Sequence, residues 1–198
     1  MNKTSLLRSQ VAQRLEESAQ IKMAIAKSKL SEIEYIVNAI IAAYKAGGKV
    51  VLFGNGGSAA DAQHLAGEFV GKFMLERQAL PAIALNVNTS TLTALGNDCG
   101  YDQVFSRQVE ALVNKQDVAI GISTSGNSPN VLEGIKAAKK KGARTIGLTG
   151  GKGGKLVGEA DLTLVVPSDS TPRIQEAHIT IGHIVCELVE KELFATAE

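Results

Sequence analysis

The sequence predicts an α/β fold: a three-layer sandwich in which a five-stranded parallel sheet is covered by helices on both faces, with added helices at the N-terminus. Three observations predict it. Five short runs rich in Val, Ile and Leu, at 50–53, 82–85, 118–122, 145–149 and 162–166, are apolar without alternation, as strands buried on both faces are. Helical segments separate these runs, the order that builds a parallel sheet. The chain has 198 residues, 44% of them apolar but only 4% aromatic, which suits one domain with an aliphatic core.

Taken in order, the elements have local causes. From about 5 to 27, Leu7, Val11, Leu15, Ile21 and Ile25 recur at helical spacing. Ser31-Glu-Ile-Glu34 has the form of a capping box, and Gly47-Gly48 a stop, for a second helix through Ile40 and Tyr44. The strand at 50–53 runs into the glycine turn GNGGSA and a helix carrying Asp61, His64 and Glu68. After the third strand, Ser128 stands where an N-cap belongs and Pro129 where the first helical residue belongs. A last helix runs from Pro172 to about Phe194. No linker, repeat or low-complexity tract interrupts the chain, so the expected organisation is one domain over 1–198, with N-terminal helices at about 5–47 and the α/β core at about 48–195.

Composition excludes several functions. The 21 basic and 20 acidic residues nearly cancel, so nothing favours a nucleic acid as partner. Cys99 and Cys186 fit no zinc or redox spacing, which suits a reducing compartment. The stretch MNKTSLLRSQVAQRLEES carries charges throughout and no continuous apolar core, so it reads neither as a signal peptide nor as a membrane span. A cytoplasmic protein with no membrane partner is expected.

Open parallel sheets bind ligands beyond the carboxyl ends of their strands. Those segments are GNGGSA (54–59), LNVNTST (85–91), STSGNS (123–128), TGGKGG (149–154) and PSDSTP (167–172). The third is the most readable. A helix N-terminus preceded by Ser123, Thr124 and Ser125 offers an anion several N–H and O–H donors, whereas a plain cap-and-turn accounts for Ser128 and Pro129 only. Two rival phosphate motifs fail. In Gly150-Gly-Lys-Gly-Gly-Lys-Leu156 the Walker spacing is one residue short and Leu156 replaces the required hydroxyl. Gly54, Gly56 and Ala59 match the dinucleotide fingerprint, but the second strand ends in Leu85-Asn-Val-Asn88, with no acid to hold a ribose.

Asp61, His64 and Glu68 align along one helical stripe, while Leu65, Phe69 and Phe73 form another suited to packing on the sheet. A His and a Glu at i, i+4 can converge on a cation. Asp61 could equally complement the helix dipole and Glu68 pair with Lys72, leaving His64 a surface residue. The last helix adds Gln175, His178 and His183, so two of the three histidines lie there.

Together, GNGGSAADAQHLAGEF, TALGNDCGYDQVFSRQV, STSGNSPNVL and RIQEAHITIGHIVCELVE resemble the phosphoheptose isomerase family (sedoheptulose 7-phosphate isomerases) of the sugar isomerase (SIS) superfamily, over about residues 44–193. The resemblance implies a flavodoxin-like SIS fold, a cytosolic homotetramer, and conversion of sedoheptulose 7-phosphate to D-glycero-D-manno-heptose 7-phosphate for bacterial lipopolysaccharide. It implies that Asn55, Gly56, Gly57, Asn97, Asp98 and Gln175 contact the phosphorylated seven-carbon sugar along with Glu68, and that Ser123, Thr124, Ser125 and Ser128 hold its phosphate. It makes Glu68 and His183 the catalytic pair, and His64, Glu68, Gln175 and His183 the ligands of one zinc per subunit; His178 receives no role. The glycine turn is then expected to admit the sugar rather than a cofactor.

The chemistry suits these residue types. Aldose–ketose interconversion through an enediolate needs a carboxylate base beside the carbons and an acid that shuttles protons to the oxygens; zinc or oriented donors stabilise the oxyanion. A carboxylate on zinc is a weaker base, so turnover would require Glu68 to loosen from the metal. The competing reading is a non-enzymatic SIS-domain adaptor of the replication initiator, which has no reason to keep Glu68, Gln175 and His183 together. Finally, eight residues of helix advance about 12 Å, so Gln175 and His183 meet on one ion only if the helix bends sharply between them, where Gly182 is the one evident weak point, or if different subunits supply them. Sites shared between neighbouring subunits are expected.

Overall fold

In the computed structural model of the chain, which describes residues 3–195 and their side chains from Leu6 onward, each apolar run is a strand: β1 (Val50–Gly54), β2 (Ala82–Ala84), β3 (Val118–Ile122), β4 (Arg144–Gly150) and β5 (Leu162–Val166). The outermost residues of the expected 1–198 domain lie outside the described residues. All pairings are parallel, in the order β2-β1-β3-β4-β5, the flavodoxin-like order. The helices are α1 (Lys3–Ser28), α2 (Leu30–Lys45), α3 (Gly57–Val70), α4 (Thr89–Asp98), α5 (Ser106–Leu112), α6 (Pro129–Lys140), α7 (Leu156–Glu159) and α8 (Thr171–Phe194).

Strand alternation divides the core into two layers. Val50, Leu52, Ile120, Ile146 and Leu164 face α2, α3 and α8. Val51, Phe53 and Ala119 face α5 and α6, where Phe53 and Phe105 stack with centroids 5.2 Å apart. Both faces of β1 and β3 are buried, which is why their sequences lack polar alternation.

Two boundary signals fared differently. Gly47, at φ +76°, closes α2 with a Schellman pair, Gly48 N–H to Ala43 O and Gly47 N–H to Tyr44 O. The capping box does not form: only Lys29 separates α1 from α2, so Ser31 already lies inside the helix, and Glu32 pairs with Lys29 instead. On α1, Ile25 reaches the core, but Leu7, Val11 and Leu15 stay exposed. Among the described residues, no helix is long and apolar enough to cross a membrane.

Candidate active site

In this strand order the chain leaves β1 in one direction along the sheet and returns to β3 on the other side, opening a crevice at their carboxyl ends. The turn Asn55–Gly57 and the loop Ser123–Ser128 meet there. Gly56 supplies φ +56° at the N-cap of α3, a conformation costly for other residues. At Gly57 a Cβ would lie 2.6 Å from Nε2 of Gln175. The absence of a side chain at this glycine therefore makes room for the Gln175 amide.

The 123–128 loop is held from below. Gly150 N–H donates to Thr124 O (3.0 Å), and Gly126 N–H to Ser123 O (2.9 Å). Gly126 has φ +65°, and a Cβ there would sit 1.9 Å from Gly153 O, so glycine is obligatory. Ser128 occupies the N-cap of α6 with Pro129 after it, but its hydroxyl makes no cap bond; it meets Ser123 Oγ at 3.0 Å instead. Pro129 has no N–H, and those of Val131 and Leu132 turn back to Ser128 O, so the hydroxyl not spent on capping leaves the Asn130 N–H at this helix end available to an anion. Ser125 is exposed and Thr124 half-buried.

About 10 Å further along α3, a second cluster forms. His64 Nε2 lies 2.8 Å from His183 Nε2 and 3.1 Å from Glu68 Oε1. One ligand atom from each residue falls within 4.8 Å of the other two. Three lone-pair-bearing atoms converge with few hydrogens to separate them, a crowding that a bound cation relieves, and imidazole with carboxylate is a zinc donor set. The two helices come this close because Gly182 abuts Leu65, where a Cβ would be 2.6 Å from Leu65 Cδ2. Phe73 packs its ring on His183, centroids 5.5 Å apart. Lys72 pairs with Glu76 and leaves Glu68 to His64.

Gln175 does not join this cluster within the chain. Helix α8 is continuous from Thr171 to Phe194, and Gln175 lies two turns before His183, against Gly57. Asp61 lies past the first turn of α3, where the helix dipole acts most strongly. Burial raises its pKa to about 6, opposed by His64, and Oδ2 has no partner. Asn97 and Asp98 end α4 on the surface, joined by a 2.7 Å bond from Asn97 Nδ2 to Asp98 Oδ1.

His178 is buried, with Nε2 3.1 Å from Thr149 O. Burial lowers its pKa to about 4, so the ring is neutral at pH 7 and Nε2–H is the donor to that carbonyl. It ties α8 to the strand end beneath the 123–128 loop, a scaffold position.

Sequence reasoning missed the clamp behind the cluster. The side chains of Arg77 and Glu190, each 1% exposed, pair at 2.6 Å. Glu190 also accepts from the N–H groups of Phe73 (3.0 Å), Met74 (2.6 Å) and Leu75 (2.8 Å), which with Arg77 holds its carboxyl below the usual range. The guanidinium donates to the carbonyls of Glu68 (2.8 Å), Phe69 (3.0 Å) and Gln78 (3.0 Å). Also missed were Asn130 and Tyr101, which meet Asn55.

The chain is similar to known proteins over most of its length. The SIS-domain family model matches residues 14–150. The phosphoheptose isomerase of Citrifermentans bemidjiense is 55% identical over 185 residues, covering 93% of this chain and 96% of its own length. That of Clostridium acetobutylicum is 58% identical over 184 residues, covering 89% and 94%. The solved phosphoheptose isomerase of Neisseria gonorrhoeae has a TM-score of 0.88 at 43% identity, covering 93% of this chain and 99% of that one.

Proposed function

The chain belongs to the SIS-domain family and, within it, to the phosphoheptose isomerases; from that premise we propose that it converts sedoheptulose 7-phosphate to D-glycero-D-manno-heptose 7-phosphate for lipopolysaccharide heptose, in the cytoplasm. The observation that carries the reading to particular residues is the meeting of Glu68, His64 and His183 across more than a hundred residues of chain. An acid–base pair and a metal donor set coincide beside a hydroxyl-rich anion loop.

In this reading Ser123, Thr124, Ser125 and Ser128, with the first turn of α6, hold the phosphate. Asn55, Gly56, Gly57, Asn97, Asp98 and Gln175 hold the sugar. Glu68 takes the proton from the carbon beside the carbonyl and returns it to the neighbouring carbon. His183 moves the proton between the two oxygens, as an imidazole with one donor and one acceptor nitrogen can. His64, Glu68 and His183 fit zinc, which would supply electrostatic stabilisation of the enediolate oxygens.

The active assembly is a homotetramer with shared sites. Its support is geometric: Gln175 lies two helical turns from His183 in its own chain, so a Gln175 that completes the ligand set comes from a neighbour. The exposed apolar side chains of Leu7, Val11 and Leu15 on α1 give such neighbours a surface to cover. We assign the whole chain, 1–198, to one SIS domain, with helical additions at about 5–47 and the core at about 48–195.

The test is incubation of purified protein with sedoheptulose 7-phosphate, with and without chelator, beside a Glu68→Gln variant. Turnover lost by about 10²–10⁴-fold in the variant, with fold and substrate binding kept, is expected. Absence of turnover by metal-loaded parent, or near-normal activity of Glu68→Gln, refutes the reading.

A further inference from the structure

Asn55 opens the sugar loop, and an unrestrained asparagine there could turn either its oxygen or its nitrogen to a ligand. It is not unrestrained. Asn55 Nδ2 donates to Asn130 Oδ1 at 2.8 Å, and Asn130 Nδ2 donates back to Asn55 Oδ1 at 2.9 Å. The Tyr101 hydroxyl donates to the same Asn55 Oδ1 at 3.3 Å. A side-chain carbonyl has two lone pairs, and both are engaged, so Asn55 retains one N–H for a ligand.

Asn130 is 2% exposed and is the second residue of α6, the helix that begins where the 123–128 loop ends. A buried amide needs partners, and its reciprocal pair is with Asn55, the residue that opens the sugar loop. Tyr101 is exposed and follows Gly100, whose φ of +86° turns the chain after α4 toward Asn55. The two side chains thus approach Asn55 from different elements, one rooted at the phosphate end of the crevice and one at the α4 end.

We propose that Asn130, assisted by Tyr101, is a positioning residue that fixes Asn55 as a hydrogen-bond donor to a sugar oxygen and sets its distance from the phosphate loop. The inference rests on Asn55 contacting substrate, as proposed above. The amide pair makes the sugar loop and α6 one rigid unit, so a ligand seated by its phosphate meets the Asn55 N–H at a fixed reach. A misplacement of about 1 Å at such a contact can cost on the order of 10²-fold in rate.

The experiment is a double-mutant cycle of Asn55→Ala and Asn130→Ala, with kcat and KM measured on sedoheptulose 7-phosphate and inorganic phosphate titrated as competitive inhibitor. Asn130→Ala should lower kcat/KM by about 10–100-fold while leaving phosphate inhibition within about twofold, and should add little in the Asn55→Ala background, because residues acting through one contact are not additive. Asn130→Asp, isosteric but unable to donate, should show the same split if the alanine variant fails to fold. Full additivity, a parallel loss of phosphate inhibition, or parent-like activity of both Asn130 variants overturns the inference. If Asn55→Ala itself is as active as the parent, the assignment of Asn55 to substrate fails first, and the positioning role falls with it.

Discussion

Replacing Glu190 by Leu should destabilise the protein by about 3 kcal/mol, and the reason lies in what the carboxylate touches. The change leaves the Arg77 guanidinium without its counter-ion and three backbone N–H groups, of Phe73, Met74 and Leu75, without an acceptor. Breaking a buried pair from one side costs about 3–5 kcal/mol; the lower end applies because the 73–77 segment covering the pair is partly exposed itself. In a chain of this size that is a fall in Tm of roughly 6–12 °C. The informative comparison is the double variant Arg77→Met/Glu190→Leu. An isolated buried pair is often replaced by apolar residues at no loss. Here the double variant should stay at least about 2 kcal/mol below the parent, because the carbonyls of Glu68, Phe69 and Gln78 lose their donor as well and a buried polar group left unpaired costs about 1–3 kcal/mol. Urea unfolding of parent, single and double variants measures both numbers. A double variant within about 1 kcal/mol of the parent would show that the charges, not the backbone groups they serve, account for the effect, and the reasoning would be wrong.

Ser123→Ala combined with Ser125→Ala should raise KM at least as much as it lowers kcat, and should weaken competitive inhibition by inorganic phosphate; equal inhibition of variant and parent would reduce the loop to a turn. Mixing inactive Gln175→Ala with inactive His183→Ala protein under subunit exchange should restore part of the activity, since hybrid sites then hold both intact residues; verified mixed oligomers that remain inactive would refute the shared site. His178 predicts an acid weakness. Its pKa is depressed from 6.5 to about 4 in the fold, so the unfolded chain binds the proton more readily, and stability present above pH 6.5 is lost as pH falls toward 4. At about 1.4 kcal/mol per pH unit that is on the order of 3 kcal/mol. His178→Gln should show a flatter stability profile between pH 6.5 and 4 in urea titrations, and an unchanged slope would refute the assignment.

The sheet was legible because β1 and β3 are buried on both faces, and such strands cannot hide their apolar runs. The second strand was read one residue too long, to Leu85, which continues the pairing by one N–H bond to Leu52 O but leaves the strand geometry. The capping box misled because Ser31-x-x-Glu34 is a local pattern, and the true break at Lys29 is a single residue with no side-chain cap. In the site, spacing could align Asp61, His64 and Glu68 but could not bring His183 to them. That meeting depends on Gly182 seating against Leu65, a fit between positions 117 residues apart. The partners of Asn55 were illegible for the same reason: nothing local to Asn130 distinguishes a clasp from an ordinary first-turn asparagine.

Helix α8 touches, in order, Gly57 through Gln175, the floor of the 123–128 loop through His178, His64 and Glu68 through His183, and the segment behind them through Glu190. These contacts run from Gln175 to Glu190, fifteen residue steps or about 22 Å of axis, with no break in the helix. The helix is therefore a ruler, and its graduations are set by residue count rather than by any loop that could stretch. Inserting or deleting one residue between His178 and His183 would rotate everything beyond it by about 100°, turning His183 from the cluster and Glu190 from its amides together. Surface loops elsewhere in the chain can change length during evolution at small cost; this interval cannot, and it fixes how far the His64, Glu68 and His183 cluster stands from the 123–128 loop.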